Sequence, residues 1–181
     1  MTERYEIDSA HSSLQFSVRH LMVSNVRGTF TGVKGTVLHD TTDPSASSVE
    51  ATVDVNTINT HDNQRDAHLK SADFFDVASY PAITFRSTKV EKKSGDQYAV
   101  TGDLTVHGVT KPVILDVTEV SEQAKDPWGN ARIGASVKTK LKRSEFGLTW
   151  NAALETGGLM IGDEVKLDFE IELIKAKSAT A

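Results

Sequence analysis

Residues 61–81, HDNQRDAHLKSADFFDVASYP, are the one stretch of this chain that reads as helix. Nearly everything else alternates apolar and polar residues in the manner of β-structure. An all-β chain with a single helical insertion has few architectures open to it. The helix is expected to run from about Asp62 to Ser71, starting at His61 or Asp62. Asp66 lies in its first half, where an acid suits the helix dipole, and Ala67 and Leu69 are good helix formers. The stretch ends in Phe74-Phe75 and Tyr80-Pro81, aromatic residues that need an apolar place to go.

Period-two alternation puts Leu14, Phe16 and Val18 on one strand face and Val49, Ala51, Val53 and Val55 on another. Val26 to Phe30 and Val33 to Leu38 read as strands punctuated by Gly28, Gly32 and Gly35, where a sheet can bend. Ile83 and Phe85 begin the strand after the helix. Then come Tyr98, Val100, Leu104 and Val106, followed by Val113, Leu115 and Val117, and by Ile133, Ala135, Val137 and Leu141. The last strand is the cleanest: Val165, Leu167, Phe169, Ile171 and Leu173 alternate with Lys166, Asp168, Glu170 and Glu172. Asp43-Pro44-Ser45, Lys93-Ser94-Gly95-Asp96 and Asp126-Pro127-Trp128-Gly129-Asn130 read as turns. The tail after Ile174, KAKSATA, is expected to fray. About eight antiparallel strands in a single domain, 1–181, favour a closed barrel, because closure removes exposed sheet edges. The helix would lie over one opening.

Composition excludes several functions. There are 0 cysteines, so no disulfide scaffold, thiolate metal site or cysteine nucleophile is available. A net charge of -5 and no basic stripe speak against nucleic acid as a partner. No run approaches the roughly 18 apolar residues that span a bilayer as helix. Met1-Thr2-Glu3-Arg4-Tyr5 has no apolar leader region, which places the chain as given in the cytoplasm, or in the periplasm if a leader has been trimmed.

An eight-stranded barrel can be filled by side chains or can hold one small ligand. Large inward residues (Phe16, Phe30, Phe85, Phe169) are mixed with small ones (Ala51, Gly102, Ala135) that leave room, so a solid core and an apolar tunnel both stay open. Met22-Val23 follows a strand and Phe74-Phe75 follows the helix. Both pairs are expected to form an apolar lid or cavity wall, methionine adapting to variable ligand shapes. Parity points Arg19 outward and His20 inward unless the strand bulges there. The six histidines show no metal-ligand spacing; His61 and His68, seven apart on one helix, would stand roughly 10 Å apart. Ser12-Ser13 beside His11 lacks the Gly-x-Ser-x-Gly elbow of a hydrolase. Gly157-Gly158 reads as a hairpin turn.

Several segments in order resemble the YceI-like family of polyisoprenoid-binding proteins. They are DSAHSSLQFSVRHLMVSNVRGTF from Asp8 to Phe30, RDAHLKSADFFDVASYPAITF from Arg65 to Phe85, GDLTVHGVTKPV from Gly102 to Val113, RSEFG at Arg143, and IGDEVKL from Ile161 to Leu167. The resemblance implies a lipocalin-like, extended antiparallel barrel that sheathes a polyprenyl or quinone-type lipid, commonly as a homodimer. It carries over no catalytic residue, and it implies no cofactor beyond the lipid. On this reading Leu14, Phe16, Val18, Phe30, Val49, Ala51, Val53, Phe85, Val165, Leu167 and Phe169 line the tunnel. Met22, Val23, Phe74 and Phe75 close it. His20 and Arg65, and less so Arg19, meet the head group. The alternative is an enzyme acting on an isoprenoid or quinone, with His11, Arg19 or His20 near that head.

Overall fold

A computed structural model describes Met1–Lys177. Its strands are β1 (Thr2–Ile7), β2 (Ser13–His20), β3 (Ser24–Phe30), β4 (Val33–Asp40), β5 (Ser48–Asp54), β6 (Ala82–Lys92), β7 (Tyr98–Val106), β8 (Val109–Thr118), β9 (Ala124–Lys125), β10 (Ala131–Lys142) and β11 (Ile161–Lys175). The helix α1 spans Asn63–Lys70. Eight strands close an antiparallel ring in the order β11-β1-β4-β5-β6-β7-β8-β10, with β10 returning to β11. The all-β barrel with one helix expected from the alternation is therefore the fold.

The ring has an irregularity that sequence pattern does not disclose. β10 pairs with β11 along almost its whole length, from Arg132↔Ile174 to Lys142↔Glu164. The other edge of β11 is divided. β2 takes its first part, from His20↔Ile161 to Ser13↔Glu170, and β1 takes its end, from Ile7↔Leu173 to Tyr5↔Lys175. The β2–β3 hairpin thus extends the wall at one end of the barrel only. That end also carries α1 and the β10–β11 loop and is termed the helix end. The opposite end carries the start of β1 and the turn between β9 and β10. β1 escaped the sequence reading because Thr2-Glu3-Arg4-Tyr5-Glu6-Ile7 offers only Tyr5 and Ile7 as apolar alternates. Tyr5 is nonetheless 1% exposed, under Ile133 and Leu173.

The helix forms where expected and for the expected reason. Asp62 caps it, its carboxylate accepting the Arg65 N–H at 2.9 Å, and Ser71 ends it. Arg65 and Asp66 do not pair with each other in solvent. Both grip buried Thr60: Arg65 Nε donates to Thr60 Oγ1 at 2.8 Å, and Asp66 accepts the Thr60 N–H at 2.9 Å. The helix is thereby pinned to the chain before it rather than floating over the opening.

Two expectations are corrected. Gly102 leaves no room in the barrel, because the Phe85 ring lies over it; a Cβ there would stand 2.5 Å from Phe85 Cζ. The tail does not leave the sheet at Ile174: Lys175 is still strand, and the Ala176 N–H donates to Arg4 O at 2.8 Å. Residues 178–181 lie outside the described residues.

Candidate functional site: a cavity along the barrel

The barrel is hollow. A cavity of about 440 Å³ runs inside it, walled by the inward face of every strand of the ring and of β2. Leu14, Phe16 and Val18 from β2, Val49, Ala51 and Val53 from β5, and Val165, Leu167 and Phe169 from β11 face this one space. Phe30, Phe85, Phe74 and Phe75 line it as well. Phe16, Val18, Val49, Ala51, Leu167 and Phe169 are only half-buried although they point inward, because they meet empty space and not one another. The solid-core alternative is excluded by this geometry.

The two ends of the cavity differ in charge. At the end near the β1 start, the polar lining groups are His39, Ser47 and Tyr98. Burial pulls the His39 imidazole below its ordinary value, so it is neutral at pH 7. At the helix end the lining includes Arg19, His20, Arg65, His68 and Arg143. Among the described residues no Asp or Glu lines the cavity.

Arg143, which the sequence reading noted and did not assign, is the centre of the helix end. It is 8% exposed. Its Nε donates to Gly162 O at 2.9 Å, one terminal nitrogen to Leu148 O at 2.6 Å and Trp150 O at 2.9 Å, and the other to Ile161 O at 3.3 Å. All four partners are main-chain carbonyls. Burial lowers its pKa from the arginine value, opposed by the charge of Asp163, whose carboxylate is itself held by the Ser144 N–H at 2.9 Å and hydroxyl at 2.8 Å. A guanidinium does not deprotonate in such a setting. A buried positive charge therefore sits at the cavity wall with carbonyl dipoles for neighbours.

Above it lies an aromatic cluster. The His68 ring stands edge-on to Trp150 and Phe74, centroids 4.7 and 5.1 Å away, and its Nε2 is 2.8 Å from the Asp73 carboxylate. Phe75 meets Phe30 edge-on at 6.0 Å. Trp150, Met160 and Ile161 complete this end. Trp150 and Met160 were missed because the β10–β11 loop has no period to read, and His68 because nothing in its spacing connects it to Trp150.

His20 faces the cavity, as its parity requires. The bulge lies in the partner strand: Gly162-Asp163-Glu164 of β11 stand opposite Arg19 alone. Arg19 reaches the cavity rim there, and one of its terminal nitrogens donates to Met22 O at 3.2 Å. Met22 and Val23 form no part of the wall. They sit at the β2–β3 tip, 65% and 76% exposed, because the hairpin outruns the barrel.

One triad elsewhere has metal-like spacing, Asp8, His11 and Glu172. The Arg132 guanidinium already occupies it, 2.7 Å from Asp8 and bonded to Glu172, with Asp126 at 2.8 Å on its other side. It is an ion cluster that clasps the β9–β10 turn to the barrel.

The comparison with known proteins follows the barrel closely. Residues 5–173 match the YceI-like domain. The chain belongs to the YceI-like family. The protein YceI of Salmonella newport is 38% identical over 175 residues, 96% of this chain and 87% of that one. The crystal structure of Burkholderia cenocepacia BcnA superposes with a TM-score of 0.80 at 25% identity, covering 92% of this chain and 98% of that one. A polyisoprenoid binding domain from Saccharophagus degradans, implicated in plant cell wall breakdown, superposes with a TM-score of 0.67 at 18% identity over 95% of this chain and 98% of that one, a likeness of fold. The barrel is thus the architecture these chains share.

Proposed function

We propose that this protein binds a long isoprenoid lipid, of polyprenyl or quinone type, and sequesters or carries it in the barrel with its polar head at the helix end. The observation that carries the reading is the 440 Å³ apolar cavity. Left empty, a rigid cavity of that size would forgo about 10 kcal/mol at roughly 24 cal/mol per Å³. That is of the order of a whole domain's stability, about 5–15 kcal/mol. A fold that keeps such a space has a use for it, and the volume lies in the range of roughly 300–1,000 Å³ typical of ligand sites. An isoprenoid tail has no polar group along its length, so walls of Val, Leu, Ile and Phe suit it as a solvent. Burial contributes about 0.8 kcal/mol per methylene before ordering of the chain is subtracted.

Charge supports the orientation. Arg143, Arg65 and Arg19 line the helix end, and neutral His39, Tyr98 and Ser47 line the other. A phosphate head is stabilised by the charges of the first set, whereas the second offers only neutral hydrogen bonds. The YceI-like barrel shared with a polyisoprenoid binding domain supports the same class of ligand.

The test is extraction of the purified protein with organic solvent and identification of what it held by mass spectrometry. A long-chain isoprenoid is expected. A protein that holds none, and that takes up neither a polyprenol nor a quinone added from detergent, ends the proposal. Incubation of the recovered lipid with the protein checks for turnover, which would convert the reading to an enzyme.

A further inference from the structure

A patch beside the cavity has no role in enclosing it. Leu21, Met22 and Val23 form the tip between β2 and β3 and are 40%, 65% and 76% exposed. Leu159, on the β10–β11 loop, is 53% exposed. The two loops abut: the Leu21 N–H donates to Met160 O at 2.7 Å, and Met22 Sδ comes within 3.7 Å of where a Cβ on Gly158 would lie. Four large apolar side chains therefore share one projecting surface.

The turn itself does not call for these residues. Leu21 and Met22 both stand at positive φ, 52° and 62°. Glycine, asparagine and aspartate occupy such positions readily, and a bulky apolar residue does so at a cost. Arg19 braces the turn through Met22 O. Strained backbone that displays Leu and Met to water points to a use for those side chains outside the fold.

Charge identifies the partner. The chain carries a net charge of -5, yet no Asp or Glu occurs between Asp8 and Asp40. Within that interval Arg19 and Arg27 are exposed on the β2–β3 hairpin. The helix side of the same end carries exposed Asp62 and Asp73, and the loop behind Leu159 carries exposed Glu155. Of the adjoining β11 acids, Asp163 is bonded to Ser144 and Glu164 pairs with Lys140, both on the β10 side, so the hairpin itself joins apolar residues to cations without acids of its own. Such a combination binds the surface of a bilayer with anionic head groups, apolar side chains entering the head-group region and arginines meeting phosphates. Arg19 also lines the cavity rim, so a surface docked on the tip lies next to the cavity's cationic end.

We infer that the Leu21-Met22-Val23 tip, with Leu159, docks this protein on an anionic lipid bilayer through the hairpin side of its helix end. The inference is independent of what fills the cavity, since vesicle association is measured whether or not a lipid is recovered from the protein.

The chain has no cysteine, so single-site labelling is direct. Val23→Cys and, at the far end, Trp128→Cys are each labelled with an environment-sensitive nitrobenzoxadiazole dye. They are mixed with phosphatidylcholine vesicles with and without phosphatidylglycerol. The dye at position 23 is expected to shift to the blue and brighten with the anionic vesicles, and the dye at 128 to stay unchanged. In flotation of unlabelled protein, Met22→Ser/Val23→Ser is expected to lower binding about tenfold. No response at position 23, an equal response at 128, or unaltered flotation of the double variant would each overturn the inference. So would a blue shift on concentrating the protein without vesicles, with a dimer in light scattering that the double variant abolishes. That result would make the patch an interface between two copies.

Discussion

Two arginines eleven positions apart, at the two ends of β10, show how differently one side chain can be used. Arg132 is surrounded by the carboxylates of Asp8, Asp126 and Glu172. Arg143 is more buried and meets carbonyls alone. At the clasp the positive charge is met by three carboxylates of the fold. At the helix end the hydrogen-bonding capacity is used to shape a loop while the charge is left for whatever occupies the cavity. The cationic end of the tunnel follows from Arg143, Arg65 and Arg19 facing it, with no Asp or Glu of the described residues in the lining.

The contrast can be broken in four ways. Arg143→Ala should have the largest effect, a loss of about 4 kcal/mol in urea unfolding, because the carbonyls of Leu148, Trp150 and Gly162 lose their side-chain donor together, while Ile161 O keeps the Asn151 amide. Arg143→Lys should recover only part of it, since an ammonium lacks the planar fork. A loss under about 1 kcal/mol for Arg143→Ala would mean that the loop is held by other contacts. Next, Phe74→Ala should cost about 3 kcal/mol, being 7% exposed between His68 and Trp150. Phe75→Ala, half-buried at the cavity wall, should weaken lipid retention more than stability. Equal loss of both properties in the two variants would reduce Phe75 to core packing.

Third, the clasp should respond to acid. Hydrogen bonds from Arg132, then from His11, hold the Asp8 carboxyl at about 2, below its ordinary 3.8. The folded pKa is the lower one, so the stabilisation is full above pH 3.8 and is lost as the pH falls toward 2. Arg132→Gln should lower Tm at pH 7, with the difference from the parent narrowing across that window as Asp8 protonates while Asp126, held lower, keeps its charge. A difference of constant size down to pH 2 would show that Arg132 acts by packing and not by charge. The smallest effect is expected from His20→Ala: unchanged Tm and a few-fold faster lipid release, read by transfer to acceptor vesicles. Unchanged release and unchanged lipid selectivity would leave His20 without a role toward the head of the proposed ligand.

The same contrast explains what the sequence could disclose. Alternation marked nearly every strand of the ring, because each has one face toward the cavity and one toward water. It marked Leu14-Phe16-Val18 and Val165-Leu167-Phe169 as sharing an interior. It failed for β1, whose sequence is polar because one short strand fills a gap and needs only Tyr5 and Ile7 inward. It failed for Met22 and Val23, where apolar character implied burial and the hairpin instead overshoots the barrel. Arg143, His68 and Trp150 were beyond reach for a different reason. Their meeting is made by loops that join distant strands, and no local period records such a contact.

The division of β11 between β1 and β2 has a consequence for synthesis. The strand that closes the ring is the last of the eleven to leave the ribosome, and its partners on one edge are the first two. Tyr5 must find Lys175 and Leu14 must find Phe169, contacts of nearly the greatest sequence separation the chain permits. Ring closure of this kind is slow, since the entropy of a long loop is lost before any pairing offsets it. Any sheet that β4 to β8 form before then has its apolar concave face bare. A nascent chain in that state is exposed to aggregation, and it is also a trough into which a long tail can be laid before the last strand seals it.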